Sequence, residues 1–448
     1  MTDFDVIVLG GGPAGEHCAA RVAEGGLRVA IVERELLGGE CSYWGCIPSK
    51  TLVRPGEALQ AAREAPGAAQ AVGGVDAAAV FAWRDFMVSA YDDAGQAAWA
   101  AAAGIELLRG SGRLDGPGRV RVGERLLTAG DIVIATGSDA VLPPVRGLRE
   151  LDGVWTNRGA TATSEVPRRL IVLGGGPVGV ELGQALARMG AAVSIVEGGE
   201  HLLAREPRAL GEALADALSA EGVELHLGRQ ASCARREGRE YVLELCDGTV
   251  LRGDRLLVAT GRRPRVAGLG LETVGIGEAS RGIPVDERMS AGERVWAIGD
   301  VTGIWPLTYV GKYQARVAAA NILGDARQAD LSAVPRVVFT DPQIAAVGEA
   351  EGPLTVTVPL AAVARTATYT RAYDDKPGFL TLVSDGWRLT GAHAVGPEAG
   401  EWLQQATLAI RARVALDVLD DVIQPFPTFS EAFLHGLLEL GARRLASA

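Results

Sequence analysis

Two cysteines with four residues between them, Cys41 and Cys46, lie in the segment Gly38-Gly-Glu-Cys-Ser-Tyr-Trp-Gly-Cys-Ile-Pro-Ser-Lys50. Thiols this close either hold a metal or cycle between dithiol and disulfide. Zinc asks for four ligands, and neither a second cysteine pair nor a nearby histidine completes the set. A disulfide has its own difficulty. On an ideal helix, Cα atoms five positions apart lie beyond the ~7 Å that a bridge can span. The segment therefore needs a distorted first turn. Gly45 supplies the freedom for one, and Pro48 suits a helix start rather than an interior. A helix N-terminus also lowers a thiol pKa toward the reactive thiolate. The other cysteines, Cys18, Cys233 and Cys246, fall in helix- or strand-like patterns and read as small buried hydrophobes.

The elements that position such a pair are legible as a repeat. Asp5-Val-Ile-Val-Leu-Gly-Gly-Gly-Pro-Ala-Gly15 recurs as Leu170-Ile-Val-Leu-Gly-Gly-Gly-Pro-Val-Gly179. Each copy is an apolar strand, a G-x-G-x-x-G turn and an Ala-rich helix. Each leads to a second strand ending in an acid, Glu33 or Glu197, about 20 residues after the turn. One such turn is weak evidence of a dinucleotide site, but two complete βαβ copies are strong. Gly10 and Gly12 allow the backbone to turn and to approach a pyrophosphate, and Gly15 allows close helix packing; Gly174, Gly176 and Gly179 repeat them. Glu33 and Glu197 suit a ribose diol. A 2′-phosphate beside Glu197 would be repelled, and no basic cluster follows to receive one, which favours NADH over NADPH.

After residue 330 the texture changes. Val337–Thr340, Gly378–Val383 and Leu389–Val395 read as strands of a mostly antiparallel sheet, with helices near 400–413 and 430–445. A chain of 448 residues exceeds one hydrophobic core. We divide it into residues 1–150, 151–265, 266–330 and 331–448. Net charge is −11 with no basic stripe, which argues against nucleic acid as a partner. No apolar run approaches the ~18 residues that a membrane span needs. The sequence enters a strand almost at once, without a basic leader, and a cytoplasmic location is expected. Lysine occurs only at positions 50, 312 and 376 of a chain rich in arginine, so each lysine is informative.

These motifs together resemble the dihydrolipoamide dehydrogenase, glutathione reductase and mercuric reductase family of flavoproteins, from about residue 3 to about residue 435. The cysteine segment, Ala135-Thr136-Gly137, Ala259-Thr-Gly261-Arg262-Arg-Pro264 and Val295-Trp-Ala-Ile-Gly-Asp300 carry the likeness. The resemblance implies an α/β fold with two Rossmann-like domains, for FAD and NAD(P), and a C-terminal α+β dimerisation domain. It implies a homodimer whose partner chain completes each active site. It also implies that Asp300 meets the flavin ribityl chain, and that a helix starting near Gly311 aims its positive end at the flavin. Cys46 is then the sulfur against the flavin and Cys41 the interchange thiol. Lys50 and Glu181 match the family's ion pair near the point of hydride arrival.

The pattern breaks once. The family's disulfide reductases carry His-Pro-Thr-x-x-Glu, whose histidine moves the substrate proton. Here the stretch is Pro425-Phe426-Pro427-Thr428-Phe429-Ser430-Glu431, and phenylalanine cannot move a proton. Glu431 loses its usual partner; His435 is one helical turn away and either pairs with it or is a plain surface residue. Tyr43 and Trp44 replace smaller residues of the family, as packing or as the floor of a cleft for a flat acceptor. The leading expectation is an NAD(P)H:disulfide oxidoreductase acting on a small-molecule disulfide or another electron acceptor. A quinone or metal-ion reductase using the same dithiol is the alternative. A thioether-cleaving or carboxylating relative and a non-catalytic flavoprotein follow behind.

Overall fold

The computed structural model describes every residue except 1, 278, 371–377 and 448. Lys376 is therefore outside the described residues. The chain divides into two compact units, one of Met1–Pro48, Ala82–Val141 and Gly261–Asp330, the other of Ser49–Phe81, Leu142–Thr260 and Leu331–Ala448.

The first unit is built on a parallel sheet. Val295–Ala297, Arg125–Ile134, Phe4–Leu9, Val29–Glu33 and Ile105–Arg109 pair side by side in that order. Phe4–Leu9 is central, and Val6 to Leu9 are almost wholly buried, as a strand covered on both faces requires. The helices Pro13–Glu24 and Thr308–Ile322 pack on it, with Cys18, Ala19, Val22, Ala315 and Ala318 in one cluster with Val8. Small side chains on both helices permit their close approach.

The second unit repeats the architecture. Glu224–Leu227, Ala192–Glu197, Arg169–Leu173 and Arg255–Val258 form a four-stranded parallel sheet. The helix Pro177–Arg188 buries every residue from Gly179 to Leu186. The C-terminal part adds five antiparallel strands in the order Arg336–Val338, Gln343–Gly348, Leu389–Gly396, Phe379–Ser384 and Leu354–Pro359. Helices Gln404–Arg411 and Glu431–Ser447 supply Ala406, Ile410, Phe433 and Leu437 to its core. The strands Gln343–Gly348 and Leu354–Pro359 were not foreseen. No described helix is long and apolar enough to cross a membrane.

Candidate functional site

Each phosphate loop is closed by three contacts. Gly10 takes φ +104°, and a Cβ there would lie 2.4 Å from the Ala135 carbonyl oxygen. A Cβ on Gly15 would lie 2.0 Å from the Gly10 carbonyl oxygen, so only glycine lets the helix seat against the turn. Glu33 accepts hydrogen bonds from the backbone N–H of Gly11 at 2.8 Å and of Glu35 at 2.7 Å. The second loop matches: Gly174 has φ +116°, a Gly179 Cβ would meet the Gly174 oxygen at 2.0 Å, and Glu197 accepts from Gly175 and Gly199, each at 2.7 Å. A Cβ on Gly12 or Gly176 would meet nothing within 4 Å. That open side, at the head of a helix whose first N–H groups lack intrahelical partners, fits a pyrophosphate. The two acids thus anchor the glycine turns, a role that the sequence pattern alone did not reveal.

The lip of the first unit is tied together by side chains. The Ser138 hydroxyl donates to Asp300 at 2.5 Å, and Arg262 donates to the Ser138 hydroxyl and carbonyl, each at 2.7 Å. Gly137 (φ +74°) and Gly261 (φ +124°) turn the two strands that bring these groups together. Thr136 donates its hydroxyl to the Arg265 carbonyl at 2.8 Å.

The cysteines are positioned differently from expectation. There is no single distorted turn: Cys41 lies in the short helix Gly39–Tyr43, Trp44 ends that helix with φ −136°, and Cys46 begins the helix Cys46–Glu64. The break between the two helices, rather than strain within one, brings the sulfurs together. Gly45 is needed for closeness, since a Cβ there would lie 3.0 Å from the Glu40 carbonyl oxygen. No bond joins the two sulfurs here, and Cys46 is near enough to act on the Cys41 thiol. Cys46 Sγ lies 3.3 Å from Thr308 Oγ1. The helix beyond starts at Thr308, three residues before the expected Gly311. The hydrogen bond to Cys46 raises the Cys41 thiol, as do burial and negative charge on Cys46; Thr308 and Lys312 pull it down.

Lys50 donates to Glu181 Oε2 at 2.7 Å, and Glu181 Oε1 accepts the Phe339 N–H at 2.9 Å. The Lys50 ammonium also stands 4.5 Å over the Phe339 ring. Glu181 is almost wholly buried, so Lys50 is its partner rather than a solvated lysine.

Other residues depart from expectation. Cys246 is exposed, whereas Cys18 and Cys233 are buried as foreseen. Tyr43 is 1% exposed and therefore packs rather than floors a cleft. Its ring belongs to an aromatic cluster with Trp44 and Tyr91, the last stacking on Trp44 with centroids 6.1 Å apart. Tyr91 reaches this cluster through three consecutive left-handed residues, Ser89, Ala90 and Tyr91 (φ 49°, 49° and 61°). Such a run is costly for residues with side chains and left no sign in the sequence. At the C-terminal end Phe426 is 72% exposed. Glu431 Oε2 is buried without a hydrogen-bond partner among the described residues. His393 is buried in its strand, and burial pushes its pKa down to about 4.

Twin dinucleotide folds and a facing cysteine pair define a flavin-dependent, pyridine-nucleotide disulfide oxidoreductase. Residues 4–319 match the pyridine nucleotide-disulphide oxidoreductase family and residues 334–436 its dimerisation domain, and the chain belongs to that family. It is 36% identical to a dihydrolipoyl dehydrogenase of Thermus scotoductus, over 97% of both chains. It is 35% identical to a mercuric reductase of Acidithiobacillus ferrooxidans, over 96% of this chain and 81% of that one. The fold is similar to that of a Cu(II) complex of the HOCl-induced flavoprotein disulfide reductase RclA from Escherichia coli (TM-score 0.84, 27% identity, 96% of this chain and 98% of that one). It is an enzyme that uses FAD and a pyridine nucleotide.

Proposed function

We propose that the enzyme takes electrons from NADH, stores them in the Cys41–Cys46 pair and delivers them to an acceptor that needs little help with protons. The break at Trp44, which sets Cys41 in one helix and Cys46 at the start of the next, carries this reading. When bound, FAD relays the two electrons of a hydride from nucleotide to disulfide. Gly12, the head of Pro13–Glu24, Glu33 and Asp300 would hold it, with Ala135 to Gly137 and Arg262 shaping the lip. The loop from Gly174 to Gly179 and Glu197 would hold the nucleotide. Lys50 and Glu181 would orient its nicotinamide end, and Cys41 would present the interchange thiolate.

NADH is preferred because both Glu197 oxygens already accept backbone N–H groups, which keeps a carboxylate where a 2′-phosphate would lie. Arg208, a candidate phosphate ligand, is already engaged with Glu200 and Glu212 at 3.0 and 2.6 Å. The working form is a cytoplasmic homodimer. Ile423 and Phe426, 94% and 72% exposed, offer the kind of apolar surface that a second copy would cover, and a partner donor would satisfy Glu431. The four sequence domains then serve as FAD, nucleotide, central and dimerisation parts.

Phe426 also favours a second reading, a quinone or metal-ion reductase. Relatives described as mercuric reductases, and a Cu(II) complex of a similar fold, make metal ions the first acceptors to try. The test is stopped-flow reduction with NADH and NADPH, followed by a turnover screen against disulfides, quinones and metal ions. Equal efficiency with NADPH would overturn the nucleotide assignment. Fast turnover of lipoamide or glutathione disulfide would overturn the acceptor assignment.

A further inference from the structure

Lysine is rare in this chain, and both described lysines act on an acid in the first half of a phosphate-loop helix. Lys50 pairs with Glu181, two residues past Gly179. The charge of Lys312 acts on Glu16, one residue past Gly15, and also on His17 and Cys41. Lys312 lies one turn beyond Thr308 on Thr308–Ile322, and residues four apart share a helix face. Thr308 already touches Cys46. Lys312 therefore shares the Thr308 face of that helix, and Cys41 and the head of Pro13–Glu24 lie within its field. On its other side, Glu16 lines an open cavity of about 450 Å³ between Pro13–Glu24 and Ala94–Ala102, with Arg21, Gln96 and Trp99 on its walls. Neither Glu16 nor Lys312 has a part in the scheme above.

We propose that Lys312 is the counter-charge of the reduced Cys41–Cys46 pair, and that Glu16 takes up a proton from solvent through this cavity as the pair is reduced. This inference rests on the dithiol reading given above. NADH gives up a hydride, the Cys41–Cys46 bond breaks, and the hydride's two electrons and one proton leave one thiolate and one thiol. NAD⁺ is released, and one solvent proton converts the Glu16 carboxylate to the acid. In the oxidised state the Glu16 carboxylate balances Lys312. A new thiolate competes for the ammonium, and the buried carboxylate, less well stabilised, protonates.

The surroundings suit this exchange. Burial lifts the Glu16 carboxyl to about 7, with Lys312 opposing and Glu33 adding to the rise. The Tyr43 phenol, itself raised first by burial, lies within the field of Glu16. His17 is held below its ordinary value by burial and by Lys312, Arg21 and Arg316. Both residues act through the thiols, as positioning residues.

The test uses the flavin-loaded protein, reduced anaerobically with NADH. Iodoacetamide labelling of Cys41 is followed against pH by peptide mass spectrometry. Proton uptake is read with an indicator dye in weakly buffered solution near pH 7.5. Lys312→Met should slow labelling at neutral pH about tenfold and shift its pH profile upward, and Lys312→Arg should restore it. Glu16→Gln should abolish the proton uptake that accompanies reduction. Arg316→Met, an equal change of charge at an exposed position of the same helix, should alter neither. A Lys312→Met profile equal to that of wild type or of Arg316→Met overturns the proposal, as does undiminished proton uptake in Glu16→Gln. If NADH exposes no Cys41 thiol in the wild type, the dithiol reading falls as well; if it does and the variants are unaltered, only this inference falls.

Discussion

The loop at Gly10–Gly15 and the loop at Gly174–Gly179 share a backbone and diverge one residue later. Gly12 and Gly176 have φ/ψ of −77°/179° and −78°/178°, and the acid at the end of each second strand closes each turn in the same way. After the third glycine the first helix continues Glu16-His17 and the second Val180-Glu181. The second helix buries Val180 and gives Glu181 to Lys50, a pair 2.7 Å apart with one end almost wholly buried. The first helix turns Glu16 toward a solvent cavity and the field of Lys312. One backbone device thus serves two ends: a fixed ion pair in one copy, and a carboxyl able to titrate near neutrality in the other.

The largest effects should come from the shared backbone. Gly15→Ala and Gly179→Ala each place a Cβ 2.0 Å from a carbonyl oxygen, and overpacking of this kind costs about 1–3 kcal/mol. Gly15→Ala should weaken flavin retention roughly ten- to a hundredfold, measured by absorbance after dialysis. Gly179→Ala should keep the yellow colour and raise the KM for NADH by a similar factor. If both variants lose flavin alike, the two loops do not have separate ligands.

A smaller effect is expected at the departure from the family pattern. Phe426→His should raise disulfide turnover, within the ~10²–10⁴-fold range of general acid–base assistance, and leave flavin reduction by NADH unchanged. Steady-state assays with lipoamide, beside stopped-flow reduction, separate the two steps. An unchanged disulfide rate would mean that proton transfer at this position does not limit turnover.

The smallest expected effect is on stability. The Glu16 carboxyl sits at about 7 when folded, above its ordinary 4.5, so the folded state binds the extra proton between those values. Its stabilising contribution is full below 4.5 and lost as pH rises through 7. Glu16→Gln should therefore raise the Tm at about pH 8 more than at about pH 5. His393 has the opposite sign: its folded value of about 4 lies below the ordinary 6.5, so stability is lost as pH falls through that window. Thermal melts across pH check both, and a Glu16→Gln gain independent of pH would contradict the assignment.

What the sequence made legible followed from residues with one physical use. Gly15 and Gly179 have no substitute at their contacts, so the two phosphate loops could be placed to the residue. The cysteine spacing pointed to a pair, but the break at Trp44 is a tertiary outcome that no local propensity announces. Thr308 was passed over because its contact with Cys46 joins residues 262 positions apart. Gln343–Gly348 is masked by its Ala and Gly, which dilute any alternation, whereas Leu354–Pro359 alternates Val with Thr as a half-buried strand does. Cys246 looked like its buried neighbours, yet it follows the strand Glu240–Leu245 at the turn and is exposed.

That exposure supplies a control for the most direct test of the central claim, that Cys41 and Cys46 carry the electrons. The flavin-loaded protein is treated with one equivalent of NADH without oxygen, quenched with iodoacetamide and mapped by peptide mass spectrometry. Cys246 should label with or without NADH, and Cys18 and Cys233, being buried, in neither case. Cys41 and Cys46 should label only after NADH. Labelling of Cys41 and Cys46 that is independent of NADH, or absent after flavin has been reduced, would contradict the account.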